Sequence, residues 1–118
     1  MKKVLVVDDD PDILQLVKIA LTMNGLDVTT LAQWEKLDGA IRECMPGLIL
    51  LDISLGSADG REICRDLKMA EGTKDIPVIL FSANVEFQRG IEEWKAESFI
   101  AKPFELKKLV ETVKAFAK

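Results

Sequence analysis

The stretch Lys3-Val4-Leu5-Val6-Val7-Asp8-Asp9-Asp10-Pro11 changes from a strand pattern to a helix pattern at its acidic centre. Its apolar first half predicts a strand buried on both faces, because continuous apolar runs are typical of covered parallel strands. Apolar residues then recur at helical spacing between positions 11 and 24, which predicts a helix. The residues assigned to its buried stripe are Ile13, Leu16, Val17, Ala20 and Leu21.

The same alternation continues along the chain. Further strands are predicted at residues 26–31, 47–51, 77–81 and 98–101, and further helices at residues 33–45, 61–70, 85–96 and 105–118. Parallel strands need crossover connections, and helical crossovers are right-handed. We therefore expect one α/β domain over residues 1–118, a doubly wound five-stranded parallel sheet with five helices.

Composition excludes several classes of protein. The apolar runs are far shorter than the roughly 18 residues that a membrane span requires, so no membrane partner is expected. The acids Asp8 to Asp10 interrupt the apolar segment that a signal peptide would need, so we expect a cytoplasmic protein. Sixteen basic and twenty acidic residues give a net charge of −4, so we expect that this domain binds no nucleic acid.

The absence of histidine narrows the possible chemistry. It removes Ser-His-Asp and Cys-His catalysis, histidine-bound zinc and a phosphohistidine on this chain. Cys44 and Cys64 stand singly within predicted helices, which indicates buried or half-buried thiols in a reducing compartment. Any chemistry must use carboxylates, hydroxyls and lysines.

Four predicted strands end in charged or hydroxyl side chains. These ends carry Asp8 to Asp10, Asp52, Ser82 and Lys102-Pro103. A helix N-cap explains Asp10 or Asp12. It does not explain Asp8, Asp9 and Asp52 together, because converging carboxylates repel unless a cation neutralises them. An oxygen-only cluster selects a hard ion such as Mg²⁺, and this arrangement suits phosphoryl transfer to an aspartate.

Five motifs, taken in order, resemble the receiver domain of bacterial two-component response regulators. They are Val6-Val7-Asp8-Asp9-Asp10-Pro11, Leu51-Asp52, Asp59-Gly60, Ser82-Ala83 and Lys102-Pro103-Phe104. The resemblance covers essentially the whole chain and implies the flavodoxin-like strand order 2-1-3-4-5. It also implies a phosphorylation-dependent signalling switch that is not an enzyme, beyond self-phosphorylation and self-dephosphorylation.

The resemblance assigns a role to each acidic residue of the cluster. It implies that Asp52 is the phosphoacceptor. It implies that Asp8 and Asp9 hold Mg²⁺ together with Asp52 and the backbone carbonyl of Ser54. For Asp59-Gly60 the residues themselves indicate a turn before a helix, with the glycine supplying a positive φ.

Three further roles follow from the resemblance. It implies that Lys102 pairs with the phosphoryl group, preceding a cis bond to Pro103. Ser82 is implied to be the switch hydroxyl and Phe99 the switch aromatic. An ordinary strand aromatic is an equal alternative for Phe99.

The resemblance also implies partners. A sensor histidine kinase or histidine phosphotransfer protein is expected to supply the phosphoryl group, and the downstream protein target is unknown. We expect Leu14 to face outward on the first helix, where it anchors a helical partner; a singly exposed leucine is the alternative.

Two segments depart from the family's pattern. The usual Met-Pro is replaced in the loop at residues 55–58, and the stretch from Ser82 to Phe99 is shorter than is common. We expect a shorter or re-angled fourth helix, with Trp94 offering a ring to a partner on a surface unlike that of DNA-binding regulators. The alternative is a trimmed loop at residues 84–87 before an ordinary helix.

Other functions fit the sequence less well. A receiver-like interaction domain that works without phosphorylation is the main alternative. A haloacid-dehalogenase-like phosphohydrolase, with Asp8 as nucleophile and Asp10 as acid/base, leaves Asp52 unexplained and lacks an acidic pair after Lys102. A dinucleotide- or flavin-binding module is disfavoured because the acids after the first strand would repel phosphates. We expect either a stand-alone regulator or part of a larger one.

Overall fold

A computed structural model describes residues 2–118. Its strands are β1 (Lys3–Val7), β2 (Asp27–Leu31), β3 (Leu48–Asp52), β4 (Ser54–Leu55), β5 (Ala58–Asp59), β6 (Val78–Ser82) and β7 (Ser98–Ala101). Its helices are α1 (Pro11–Thr22), α2 (Leu37–Cys44), α3 (Gly60–Met69), α4 (Ile91–Trp94) and α5 (Leu106–Phe116). Short 3-10 turns lie at Trp34–Lys36 and Val85–Gln88.

The five long strands form one parallel sheet in the order β2-β1-β3-β6-β7. The strands β4 and β5 form a separate antiparallel hairpin, so β6 and β7 are the fourth and fifth strands of the sheet. The observed order is therefore the predicted order 2-1-3-4-5. The α/β class, the sheet order and the five helices are therefore confirmed. No helix within residues 2–118 has the length and apolar character needed to cross a membrane.

The sheet separates two hydrophobic clusters. Val4, Leu50 and Phe81 point toward α1 and α5, whereas Leu51 and Phe99 point toward α2, α3 and α4. Every residue of β3 and β6 is buried, as the continuous apolar runs of these segments predicted. Because both central strands are covered on both faces, polar side chains at their ends are held on a closely packed frame.

The buried face of α1 differs from the predicted one. Leu14, Val17 and Leu21 lie in the core, whereas Leu16 is 44% exposed. Both choices fit a helical period, since α1 carries apolar residues on more than one face. The prediction that Leu14 faces outward and anchors a partner is therefore wrong; the side chain is 7% exposed and packs against the sheet.

The predicted helix at residues 85–96 is broken. A 3-10 turn at Val85–Gln88 is followed by the single helical turn of α4. Gly90 and Lys95, on either side of α4, have left-handed backbones with φ of 78° and 61°. The expectation of a shortened fourth helix is confirmed, and Trp94 at its end is half-buried.

Candidate functional site

An acidic cluster lies at the carboxyl end of the sheet. Asp8 and Asp9 follow β1, and Asp52 ends the neighbouring strand β3. One carboxylate oxygen from each of the three lies within 4.8 Å of the others. Asp8 and Asp52 are buried and Asp9 is exposed. The sequence placed these residues at strand ends, and the parallel pairing of β1 with β3 brings them together.

Hydrogen bonds to the backbone orient the residues after β1. Asp8 Oδ1 accepts from the backbone N–H of Asp10 at 2.9 Å. Asp10 Oδ1 in turn accepts from the backbone N–H of Asp12 at 2.9 Å, so Asp10 is the N-cap of α1. The N-cap explanation of Asp10 is confirmed, and this carboxylate is not part of the cluster of Asp8, Asp9 and Asp52.

Lys102 is the cation that faces the cluster within the described chain. Its Nζ lies 2.9 Å from Asp8 Oδ2 and 3.5 Å from Asp52 Oδ2. The same ammonium lies 4.5 Å from the centre of the buried Phe81 ring. The bond from Lys102 to Pro103 is cis, as predicted. One ammonium opposite three carboxylates leaves the cluster negatively charged.

The pKa of Asp52 shows the effect of placing these charges close together in a buried site. Burial, and after it the nearby charge of Asp8, raise the pKa of this carboxyl from 3.8 to about 6. Lys102 and the backbone N–H of Ser54 act in the opposite direction without cancelling the rise in pKa. The excess of negative charge therefore favours the binding of a cation. The donors are oxygens only, which fits a hard divalent ion such as Mg²⁺.

Ser82 lies across an open cavity from the acidic cluster. The cavity has a volume of about 540 Å³ and is lined by Asp8, Asp9, Asp10, Asp52, Ser54, Gly56, Ser82, Ala83, Asn84 and Lys102. Ser82 is buried, and its Oγ accepts from the backbone N–H of Asn84 at 3.0 Å. Phe99 lies outside this lining, in the core on the α3 side of the sheet. The structure thus brings all the predicted site residues except Phe99 to one cavity.

The β4–β5 hairpin holds the residues that follow Asp52. Ser54 donates its backbone N–H to Asp52 Oδ1 at 3.3 Å and pairs with Asp59 across the hairpin. Gly60 donates its N–H to the carbonyl of Ile53 at 2.7 Å, and a Cβ on Gly60 would collide with the Asp52 carbonyl. The prediction of a positive φ at Gly60 is wrong. A glycine is needed at this position because the backbone of Asp52 approaches it too closely for a side chain.

Sequence reasoning missed one residue beside this hairpin. Arg61 forms a two-pronged ion pair with Asp59, with Nη2 to Oδ2 at 2.7 Å and Nε to Oδ1 at 3.1 Å. Asp59 also accepts from the backbone N–H of Arg61 at 2.9 Å and caps α3. These bonds hold the pKa of Asp59 below its usual range. The spacing Asp59-Gly60-Arg61 was a visible N-cap signal, although the ion pair is not readable from it.

Comparisons with known proteins agree with this architecture. A family model described as "Response regulator receiver domain" matches residues 4–114. The chain is 35% identical over 117 residues to the DNA-binding dual master transcriptional regulator RpaA of Synechocystis, covering 98% of this chain and 48% of RpaA. It is 36% identical over 116 residues to the phosphate regulon transcriptional regulatory protein PhoB of Pseudomonas aeruginosa, covering 97% of this chain and 51% of PhoB.

A solved structure is similar over the full chain. The N-terminal signal receiver domain of a two-component system response regulator from Bacteroides fragilis has a TM-score of 0.89 and 29% identity. The superposition covers 100% of this chain and 98% of that one. The whole arrangement of strands and helices therefore has a counterpart in that domain.

The partner prediction needs correction. RpaA carries DNA binding in its name and PhoB is named as a transcriptional regulatory protein. The chain spans about half the length of these curated relatives. The prediction of partners without nucleic acid is therefore wrong. It rested on the charge of a stretch that corresponds to only half of each relative.

Proposed function

The chain belongs to the family of response regulator receiver domains, and from this premise we propose that it is a phosphorylation-dependent signalling switch. In this proposal the whole chain, residues 1–118, is the receiver domain. Asp52 accepts a phosphoryl group from a phosphohistidine on another protein. The observation that carries the proposal is the convergence of three carboxylates and one ammonium beside an open cavity. Receiver domains are generally signalling domains and not enzymes.

The contacts of Asp8 and Asp52 favour Asp52 as the phosphoacceptor, because its carboxylate is held less tightly. Asp8 is fully buried, with one oxygen at 2.9 Å from Lys102 and the other at 2.9 Å from the N–H of Asp10. Asp52 has looser contacts, 3.5 Å to Lys102 and 3.3 Å to the N–H of Ser54. An oxygen of Asp52 can therefore form the new bond to phosphorus while the donor's nitrogen–phosphorus bond breaks and the imidazole leaves.

The acidic residues suit a divalent cation in this scheme. Receiver domains generally bind Mg²⁺ at an acidic pocket, and Asp8, Asp9, Asp52 and the backbone carbonyl of Ser54 would hold it here. When bound, Mg²⁺ neutralises charge on the phosphoryl oxygens. Lys102 lies between two of the carboxylates and is placed to pair with a further phosphoryl oxygen.

Ser82 and Phe99 are proposed to transmit the modification. The Ser82 Oγ accepts a hydrogen bond from Asn84, which leaves its own hydrogen free to donate to a phosphoryl oxygen across the cavity. Phe99 lies on β7 opposite Leu80, two residues before Ser82 on the neighbouring strand. A shift of Ser82 toward the acceptor would therefore change the packing around Phe99.

Phosphorylation by a small phosphodonor tests the proposal. We expect Mg²⁺ and acetyl phosphate to add one phosphoryl group to the intact protein, as measured by mass spectrometry. Asp52→Asn abolishes this addition, whereas Asp10→Asn, which preserves an N-cap residue, retains it. Equal labelling of Asp52→Asn and wild type would exclude Asp52 as the acceptor.

The same experiment separates the alternative functions. Absence of labelling of the wild type, with acetyl phosphate and also with a phosphohistidine protein, would favour an interaction domain that works without phosphorylation. Labelling that survives Asp52→Asn and is lost in Asp8→Asn would favour a phosphohydrolase with Asp8 as nucleophile.

A further inference from the structure

An aromatic and cationic cluster joins α3 to the segment at residues 84–95. The Arg61 guanidinium carbon lies 4.1 Å from the centre of the Phe87 ring and 5.3 Å from that of Trp94. Arg65, one turn further along α3, lies 5.2 Å from the same Trp94 ring. These distances are within the range of cation–π attraction. Two cations of α3 therefore contact the rings of this segment.

The segment itself has little regular structure to hold its position. Its backbone consists of a 3-10 turn and the single turn of α4, with left-handed residues at Gly90 and Lys95. Helices this short are not stable alone, so tertiary contacts must fix the position of the segment. Cys64 of α3 adds one such contact, since its Sγ lies 3.2 Å from the Trp94 carbonyl.

Arg61 differs from Arg65 because it also contacts the β4–β5 hairpin. The edge of its guanidinium is bound by both oxygens of Asp59 on β5. Asp59 pairs with Ser54, whose backbone N–H contacts the carboxylate of Asp52. A single planar cation thus contacts the hairpin beside the cavity with its edge and the aromatic segment with its face.

We propose that Arg61 is a positioning residue that couples the β4–β5 hairpin to the segment at residues 84–95. The inference rests on the proposed function of Asp52. A phosphoryl group on Asp52 displaces the Ser54 N–H and the hairpin, and Asp59 carries Arg61 with it. Because Arg61 is stacked on Phe87, the segment moves in response. This route reaches the segment from α3, whereas Ser82 contacts it at Asn84.

The test uses Trp94 as a reporter of the segment. Trp34→Phe leaves Trp94 as the single tryptophan of the chain. Beryllofluoride with Mg²⁺ serves as the phosphoryl mimic, and fluorine NMR measures its occupancy on the protein independently of tryptophan emission. The quantity compared between variants is the change of Trp94 emission on adding beryllofluoride at equal occupancy.

The decisive variant is Arg61→Met, with Arg65→Met as the matched control. Both substitutions remove a cation from the Trp94 ring, and only Arg61→Met also removes the contacts with Asp59 and Phe87 that form the proposed route. We expect Arg61→Met to lower the emission change by at least about twofold, the lower end of effects at residues that carry coupling. Arg65→Met retains the change seen in the Trp34→Phe background.

The outcomes are distinct. An undiminished change in Arg61→Met, or an equal loss in both variants, would overturn the inference while leaving the proposed function intact. Absence of a bound fluorine signal in the wild type would overturn the proposed function, and the inference with it. If Arg61→Met does not fold, Asp59→Asn decides, because it keeps the N-cap of α3 and removes the charge that pairs with Arg61.

Discussion

Removing the charge of Asp52 should stabilise the metal-free protein at neutral pH. The side chain is 6% exposed and faces the carboxylate of Asp8, and its pKa is raised to about 6 chiefly by burial. Asp52→Asn keeps an oxygen that can accept the N–H of Ser54 and removes the buried negative charge. The difference between Asp52→Asn and wild type therefore measures the cost of burying a charged carboxylate at this position.

The magnitude follows from the pKa. The rise from 3.8 to about 6 corresponds to about 3 kcal/mol, at about 1.4 kcal/mol for each tenfold change in the dissociation constant. Because the folded-state pKa lies above the ordinary value, the stabilising contribution of Asp52 is complete below about pH 4 and is lost as the pH rises through about 6. Asp52→Asn does not undergo this loss. Its free energy of unfolding relative to wild type should therefore grow by about 2–3 kcal/mol between about pH 4 and pH 7.5.

Urea denaturation followed by tryptophan fluorescence measures this difference. The free energy of unfolding of both proteins is determined in chelator at several pH values, with Asp66→Asn as a control that removes an exposed carboxylate of α3. In Mg²⁺ the advantage of Asp52→Asn should shrink, because a cation that binds the folded wild type raises its free energy of unfolding. Parallel pH profiles for Asp52→Asn and wild type in chelator would contradict this prediction.

Two further predictions concern contacts on and beside α3. Glu97→Ala removes the carboxylate that accepts from the buried N–H of Val78 at 2.7 Å, so the free energy of unfolding in urea should fall by about 1–3 kcal/mol. The exposed Glu86→Ala serves as control, and equal effects of the two would contradict the prediction. Burial raises the pKa of Cys64 to about 12, so we expect only Cys44 to react with a maleimide in the folded protein and both thiols to react in urea. Native labelling of Cys64 as fast as that of Cys44 would contradict this assignment.

The strands and the acidic cluster were predictable because their signals are local. The apolar runs at residues 47–51 and 77–81 differ by one residue from β3 (Leu48–Asp52) and β6 (Val78–Ser82). Once neighbouring strands are parallel, residues at their carboxyl ends must meet at one edge of the sheet. The convergence of Asp8 with Asp52 follows from that geometry.

The features that escaped prediction depend on contacts between distant segments. Leu14 and Leu16 both fit a helical period, and only packing against the sheet selects Leu14 for the core. The stacking of Arg61 on Phe87 joins parts of the chain that show no common pattern. The break in the fourth helix had a visible signal in Gly90, which lies inside the apolar repeat and adopts a left-handed backbone.

Because the sheet divides the core into two layers, the sequence of each layer can change separately during evolution. The layer beneath α1 and α5 and the layer beneath α2, α3 and α4 are built from different side chains. Substitutions that share no neighbours have nearly additive effects on stability, so changes in one layer need few compensating changes in the other. Leu109 and Leu67 can therefore vary under separate selection, and a lineage can remodel one flank while it inherits the other unaltered.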